Sequence, residues 1–193
     1  LSVQYTPVAG AKFIVMSGAN TIDTATGNKF TSTLRLNDSG MPGDQVASPL
    51  TSLIASGAIS EAKLKSLLGL SPSMDLSSFN FFEALKNGDP NAQKAAAAAV
   101  AIGNIVESAV KAAMGTKGGM SAADIEAATL KAFDTISKVL AKAADGQSLA
   151  SLTKVASQLA VASVLSDEVD VDALLAGFAD GTLSGDADFD LPD

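Results

Sequence analysis

The chain has 193 residues, enough for one domain or one domain with a small appendage. Hydrophobic residues make up 47% and charged residues 18%, which excludes a disordered chain; aromatics reach only 5%, so the core must be built from Ala, Leu, Ile and Val, as in closely packed helices. The net charge of −8 is uneven: up to Lys154 there are 13 basic and 12 acidic residues, and from Val155 to Asp193 there are nine acidic residues and no basic one, so no Lys/Arg cluster exists for nucleic acid or an anionic membrane surface.

The first elements are β-like. Phe13-Ile14-Val15-Met16 is a short continuous apolar run, which predicts a buried strand. Gly18 to Asn28 is turn-rich. Phe30, Ser32, Leu34 and Leu36 then alternate with Thr31, Thr33 and Arg35, the period-2 pattern of a strand with one apolar face. The two runs predict a hairpin with a long loop. Because two strands are marginal alone, it must either dock Phe13, Val15, Phe30 and Leu34 on helices or pair with a neighbour.

Helices follow. Ser48-Pro49 combines a favoured N-cap with Pro at the first helical position, predicting a helix to about Ser56 that stops at Gly57. Ser60 caps a second, with Glu61 and Lys65 spaced i,i+4, ending near Gly69. After a connector over 71–78, a third short helix runs through Phe79, Phe82 and Leu85 to Gly88. Asp89-Pro90 repeats the cap-plus-Pro signal. The helix it opens places Val100, Ile102, Ile105, Val106, Ala109, Val110 and Ala113 on one face and should break at Gly115 to Gly119.

Ser121 with Asp124 resembles a capping box. The helix after it buries Ile125, Ala128, Ala132, Phe133, Ile136, Val139, Leu140 and Ala143, pairs Asp134 with Lys138 outside, and ends at Gly146. From Ser148, Leu149, Leu152, Val155, Ala156, Leu159, Ala162 and Leu165 face inward, and Val161 and Val164 widen that face, predicting the most buried helix. A short helix from about Asp170 to Ala179, ending at Gly181, precedes a tail over 182–193. The fold class is therefore mainly α: an antiparallel helix bundle with a small N-terminal β-hairpin. It divides into a hairpin and loop over 1–47, a bundle over 48–181 and the acidic tail. No 18-residue uncharged apolar span is visible, and Ala95–Ile102 is too short to cross a bilayer, so no transmembrane segment is expected.

His and Cys are both absent, which removes Ser-His-Asp and Cys-His catalysis, disulfides, and thiolate or imidazole metal sites. Ser60, Ser66 and Ser137 lie near lysines, but such neighbours are expected by chance on helix faces. Asp124 and Glu126 sit at a helix start, where they complement the macrodipole. No catalytic residue and no organic cofactor is expected. Calcium takes six to eight oxygen ligands, and Asp186, Asp188 and Asp190 alternate in a loop-like segment, so these three are the candidate calcium ligands. They do not satisfy the EF-hand pattern, because Leu191 stands where its Gly would. Asp167, Glu168, Asp170 and Asp172 form a second acidic cluster at a helix junction, where capping competes with metal binding.

Asp23-Thr24-Ala25-Thr26-Gly27, Phe30 and Leu34, then Ala47-Ser48-Pro49-Leu50-Thr51-Ser52-Leu53, resemble a segment of very large bacterial surface, calcium-dependent (RTX-type) adhesin-like proteins. Leu68-Gly69-Leu70, Asp75-Leu76-Ser77-Ser78-Phe79 and Gly88-Asp89-Pro90-Asn91 continue the resemblance, which covers Gly18 to Ala113. The more polar approach over 37–43 departs from it. The resemblance implies an extracellular or bacterial cell-surface location and no enzymatic activity in this module, and it carries over no site residue.

The expected function is a non-catalytic structural or adhesive module of a secreted bacterial protein, calcium-stabilised, whose partners are adjacent domains or copies of itself. The alternatives are a self-assembling filament or surface-layer subunit that pairs its hairpin, and a helical bundle holding a small apolar ligand.

Overall fold

A computed structural model describes residues 6, 8, 11–16, 21–22, 33–37 and 45–178. Among the described residues the order is β1 (Lys12–Val15), β2 (Leu34–Asn37), α1 (Pro49–Ala55), α2 (Glu61–Leu68), α3 (Phe81–Lys86), α4 (Pro90–Lys117), α5 (Ala122–Ala141), α6 (Leu149–Leu165) and α7 (Val171–Ala176). The protein is mainly α, a bundle with an N-terminal hairpin.

The helix starts follow local chemistry. Ser48, Ser60, Asp89, Ser121 and Asp170 each accept a backbone N–H of the first turn, satisfying donors that have no partner within the helix. Ser148 occupies the cap position of α6 without a side-chain cap bond. At Gly69 and Gly118 the chain turns left-handed, at φ 61° and 58°, a conformation that a Cβ disfavours.

The expected break at Gly115 does not occur. α4 continues to Lys117, because one Gly in an exposed last turn costs only about 1 kcal/mol and the left-handed residue is Gly118. Conversely, α5 ends at Ala141, short of Gly146, and α7 ends at Ala176 with Gly177 as its cap; residues 179–181 lie outside the described residues.

The core is the α4–α5–α6 bundle. Ile102, Val106, Ala109, Ala132, Phe133, Ile136, Leu140, Leu152, Val155 and Leu159 are fully buried in it. Short links make consecutive helices antiparallel, and the Ala-lined faces of α4 and α6 approach closely. Two further expectations need correction. Val100 is 46% exposed, because α4 presents it to solvent beside Ala97 and Asn104. α6 is not the most buried long helix, with seven of its seventeen residues buried against nine of twenty in α5, and Val161 only half-buried.

α4 is also long and apolar enough to cross a membrane by length and composition, with 28 residues and a mean hydropathy of 1.3 over 18 of them, although Glu107 and Lys111 keep it from being an uncharged span. Here its apolar stripe packs on α1, α3, α5 and α6.

The hairpin pairs antiparallel, with Phe13 opposite Leu36 and Val15 opposite Leu34. β2 carries the docking, since Leu36 and Thr33 are buried and Leu34 packs on the core. β1 is not the buried strand that its composition predicts: Phe13 is half-buried, while Ile14, Val15 and Met16 are 47%, 42% and 64% exposed. The reason is position. β2 lies between β1 and α1, so β1 is the outer strand. Phe30 lies outside the described residues.

Candidate functional site

Asp186, Asp188 and Asp190, the expected calcium ligands, lie outside the described residues, as does the whole tail over 182–193. The second acidic cluster is drawn apart by folding. Asp167 Oδ1 accepts from Lys131 Nζ at 2.6 Å and Asp172 Oδ2 from Lys138 Nζ at 2.7 Å, while Asp170 Oδ1 caps α7 through the Ala173 N–H at 3.0 Å. Among the described residues no three acidic groups converge on a point where they could hold a metal. The Lys131 hydrogen bond and charge hold the Asp167 carboxyl below its usual range. The Asp172 hydrogen bond, with Asp134 adding to it, raises Lys138. The Asp172 pair fastens α7 to α5 and the Asp167 pair ties the α6–α7 link to α5, so the lysines neutralise two of the cluster's carboxylates.

Of the three serines near lysines, Ser66 is exposed on α2, and Ser60 and Ser137 are engaged in the fold. Ser137 is fully buried and its one hydroxyl proton is shared between Phe133 O at 2.8 Å and Leu53 O at 3.0 Å, joining α5 to α1, while its neighbour Lys138 is held between Asp134 and Asp172. Ser60 accepts the Lys63 N–H as a helix cap. Asp124 accepts both the N–H and the hydroxyl of Ser121 in the capping box, and these bonds lower its carboxyl.

At β2, serine and threonine play a part that no local sequence pattern announces. Ser52, one turn into α1, donates its hydroxyl to Ser48 O at 2.8 Å and accepts the Arg35 N–H at 2.8 Å. Thr51 Oγ1 accepts the Ser48 N–H at 2.8 Å and lies 3.0 Å from Arg35 O, to which it donates. Two hydroxyls on α1 thus take the place of a neighbouring strand along β2, and all of Leu50, Thr51, Ser52 and Leu53 are buried. The available signal was a Thr-Ser pair set between two core leucines in a seven-residue helix, where a polar residue must find a partner. The Arg35 guanidinium lies partly buried beside the same junction. Burial lowers its pKa, and the Asp134 charge opposes that shift.

An open cleft of about 530 Å³ lies between the α2–α3 connector and the start of α4, lined by Ser73, Met74, Asp75, Phe79, Glu83 and Asp89 among others. Lys65 Nζ braces its wall by donating to Pro72 O at 2.8 Å and Met74 O at 2.6 Å. Ser77 and Ser78 donate to Asp75 and hold its carboxyl below the usual range. Asp89 Oδ1 accepts the Asn91 N–H. The cleft is therefore a surface feature at the connectors, set apart from the packed faces of the long helices. Compared with known protein families, curated proteins and solved structures, the chain shows no match.

Proposed function

We propose that this chain is a non-catalytic structural or adhesive module of a secreted bacterial cell-surface protein, in which the bundle is the scaffold and the hairpin its contact element. One observation carries the reading: the hydroxyl stitch from Thr51 and Ser52 fixes β2 to the bundle and leaves β1 displayed at the surface. A strand held in this way has a defined orientation relative to the helices, which suits a contact element. The engagement of Ser137, Lys138 and Asp124 in joining and capping helices supports the scaffold role.

In this reading calcium stabilises the module through carboxylate oxygens of Asp186, Asp188 and Asp190, as their alternation suggests. The test is calorimetric titration of chelator-stripped protein with calcium, alongside a thermal melt with and without the ion. A ligand that prefers the native state must raise Tm. We expect binding with a higher Tm, and loss of both when the chain is cut before Asp186. No heat and no shift would remove calcium from the proposal and leave a metal-independent scaffold.

A further inference from the structure

The two edges of the β1–β2 sheet differ. On β2 the Arg35 N–H and C=O point away from β1 and are taken by Ser52 and Thr51. Arg35 is therefore at a non-hydrogen-bonded position of the antiparallel ladder, and so is Ile14, which stands opposite it. Both backbone groups of Ile14 consequently point outward, on the side of β1 that no strand among the described residues pairs. The side chains there are apolar and exposed in sequence: Ile14, Val15 and Met16. Edge strands are ordinarily blunted by charge, proline, a bulge or a cover, and among the described residues of this edge Lys12 is the one charge.

From this geometry we infer that β1 is a self-pairing site, at which a second copy of the chain adds its own β1 antiparallel about a twofold axis. The inference rests on the reading of the chain as a structural module. The outward groups of Ile14 call for a strand, and four strands are more stable than an isolated pair. The charge pattern selects the same strand as occupant. With Ile14 opposite Ile14 of the second copy, Phe13 meets Val15 and Lys12 meets Met16, so the two lysines stand at opposite ends and no like charges meet. The patch is thereby self-complementary, as a closed twofold contact requires.

The absence of cysteine in the chain makes the test clean. In this register two Ile14 Cα atoms face each other at about 5.5 Å, within disulfide reach, whereas the two Val15 Cα atoms lie beyond the roughly 7 Å limit. Mild oxidation of the full chain should give a covalent dimer with Ile14→Cys and not with Val15→Cys. Light scattering should show the unmodified protein forming dimers as its concentration rises. Ile14→Pro should abolish them without shifting the helical melt, because the N–H it removes points away from β2. A monomer at every concentration, equal cross-linking of the two cysteine variants, or a dimer that survives Ile14→Pro would each overturn the pairing. A strictly monomeric chain would leave the scaffold reading standing on its calcium test, and a missing calcium response would leave the pairing untouched.

Discussion

In the α4–α5–α6 bundle the contact surfaces are mainly apolar, with Phe133, Ile102, Ile136, Leu140, Leu152 and Leu159 fully buried around one buried Thr135–Ser163 hydroxyl pair, whereas the hairpin is held on α1 by two hydroxyls acting on one strand residue, Arg35, beside the buried Leu36. The bundle spreads its stability over many close-packed contacts, so a change at one of them is felt by the whole unit. The hairpin concentrates its attachment in a few directional bonds, which set its orientation more than they add to its stability. The helical bundle and the attachment of its hairpin are thus built by different physics in one molecule.

The largest effect should come from the bundle. Phe133→Ala removes a fully buried ring from α5 and should cost about 3–5 kcal/mol, read as a lower midpoint in denaturant with the hairpin and helices unfolding together. Ser52→Ala should act more locally. It leaves the Arg35 N–H without its acceptor at a cost of about 1–2 kcal/mol, seen as faster amide exchange in β2 while the helical melt barely moves. If Ser52→Ala lowered the global midpoint as far as Phe133→Ala, the division between the two regions would be wrong.

The smallest effect is that of pH, and it sharpens the comparison because the relevant charges fasten α7 and the caps while the bundle interior has none. Asp75, Asp124 and Asp167 titrate below their ordinary 3.8 in the folded chain, so their contribution is present above that value and lost as pH falls through the depressed one. Lys138 titrates above its ordinary 10.5, so its contribution is complete below that value and lost as pH rises through the raised one. With no His or Cys side chain to titrate between, Tm should be flat from about pH 5 to 9 and decline slightly at each end. A step in Tm near neutrality would contradict this assignment of charges.

The helix starts were legible in the sequence because a cap is a local event: Ser48, Ser60, Asp89, Ser121 and Asp170 each bond within three residues of themselves. The helix ends were less so. Gly115, Gly118 and Gly146 look alike in a sequence, but Gly115 stays helical, Gly118 caps α4 with a left-handed turn, and Gly146, also at positive φ, turns the link after α5 has already ended at Ala141. Burial was hardest to read. Phe13-Ile14-Val15-Met16 is apolar enough for a core strand, but its exposure is decided by β2 standing between it and α1, a long-range fact that no local pattern carries. The hydroxyl stitch was hidden for the same reason, since Arg35 and Ser52 lie seventeen residues apart. The acidic cluster at Asp167 to Asp172 was visible as charge, but its lysine partners on α5 were not.

The alanines that line the bundle, among them Ala95, Ala98, Ala109, Ala113, Ala132, Ala156 and Ala160, have a thermal consequence. Alanine loses no side-chain rotamer freedom on burial but also withdraws little apolar surface from water. Unfolding such a core exposes less hydrocarbon per residue than a leucine-rich one, so the heat-capacity increment should fall below the usual ~12–15 cal/mol/K per residue. A smaller increment flattens the stability curve, so the bundle would hold nearly constant stability from cold to warm surroundings and withstand cold denaturation better than a richly aromatic domain of the same length.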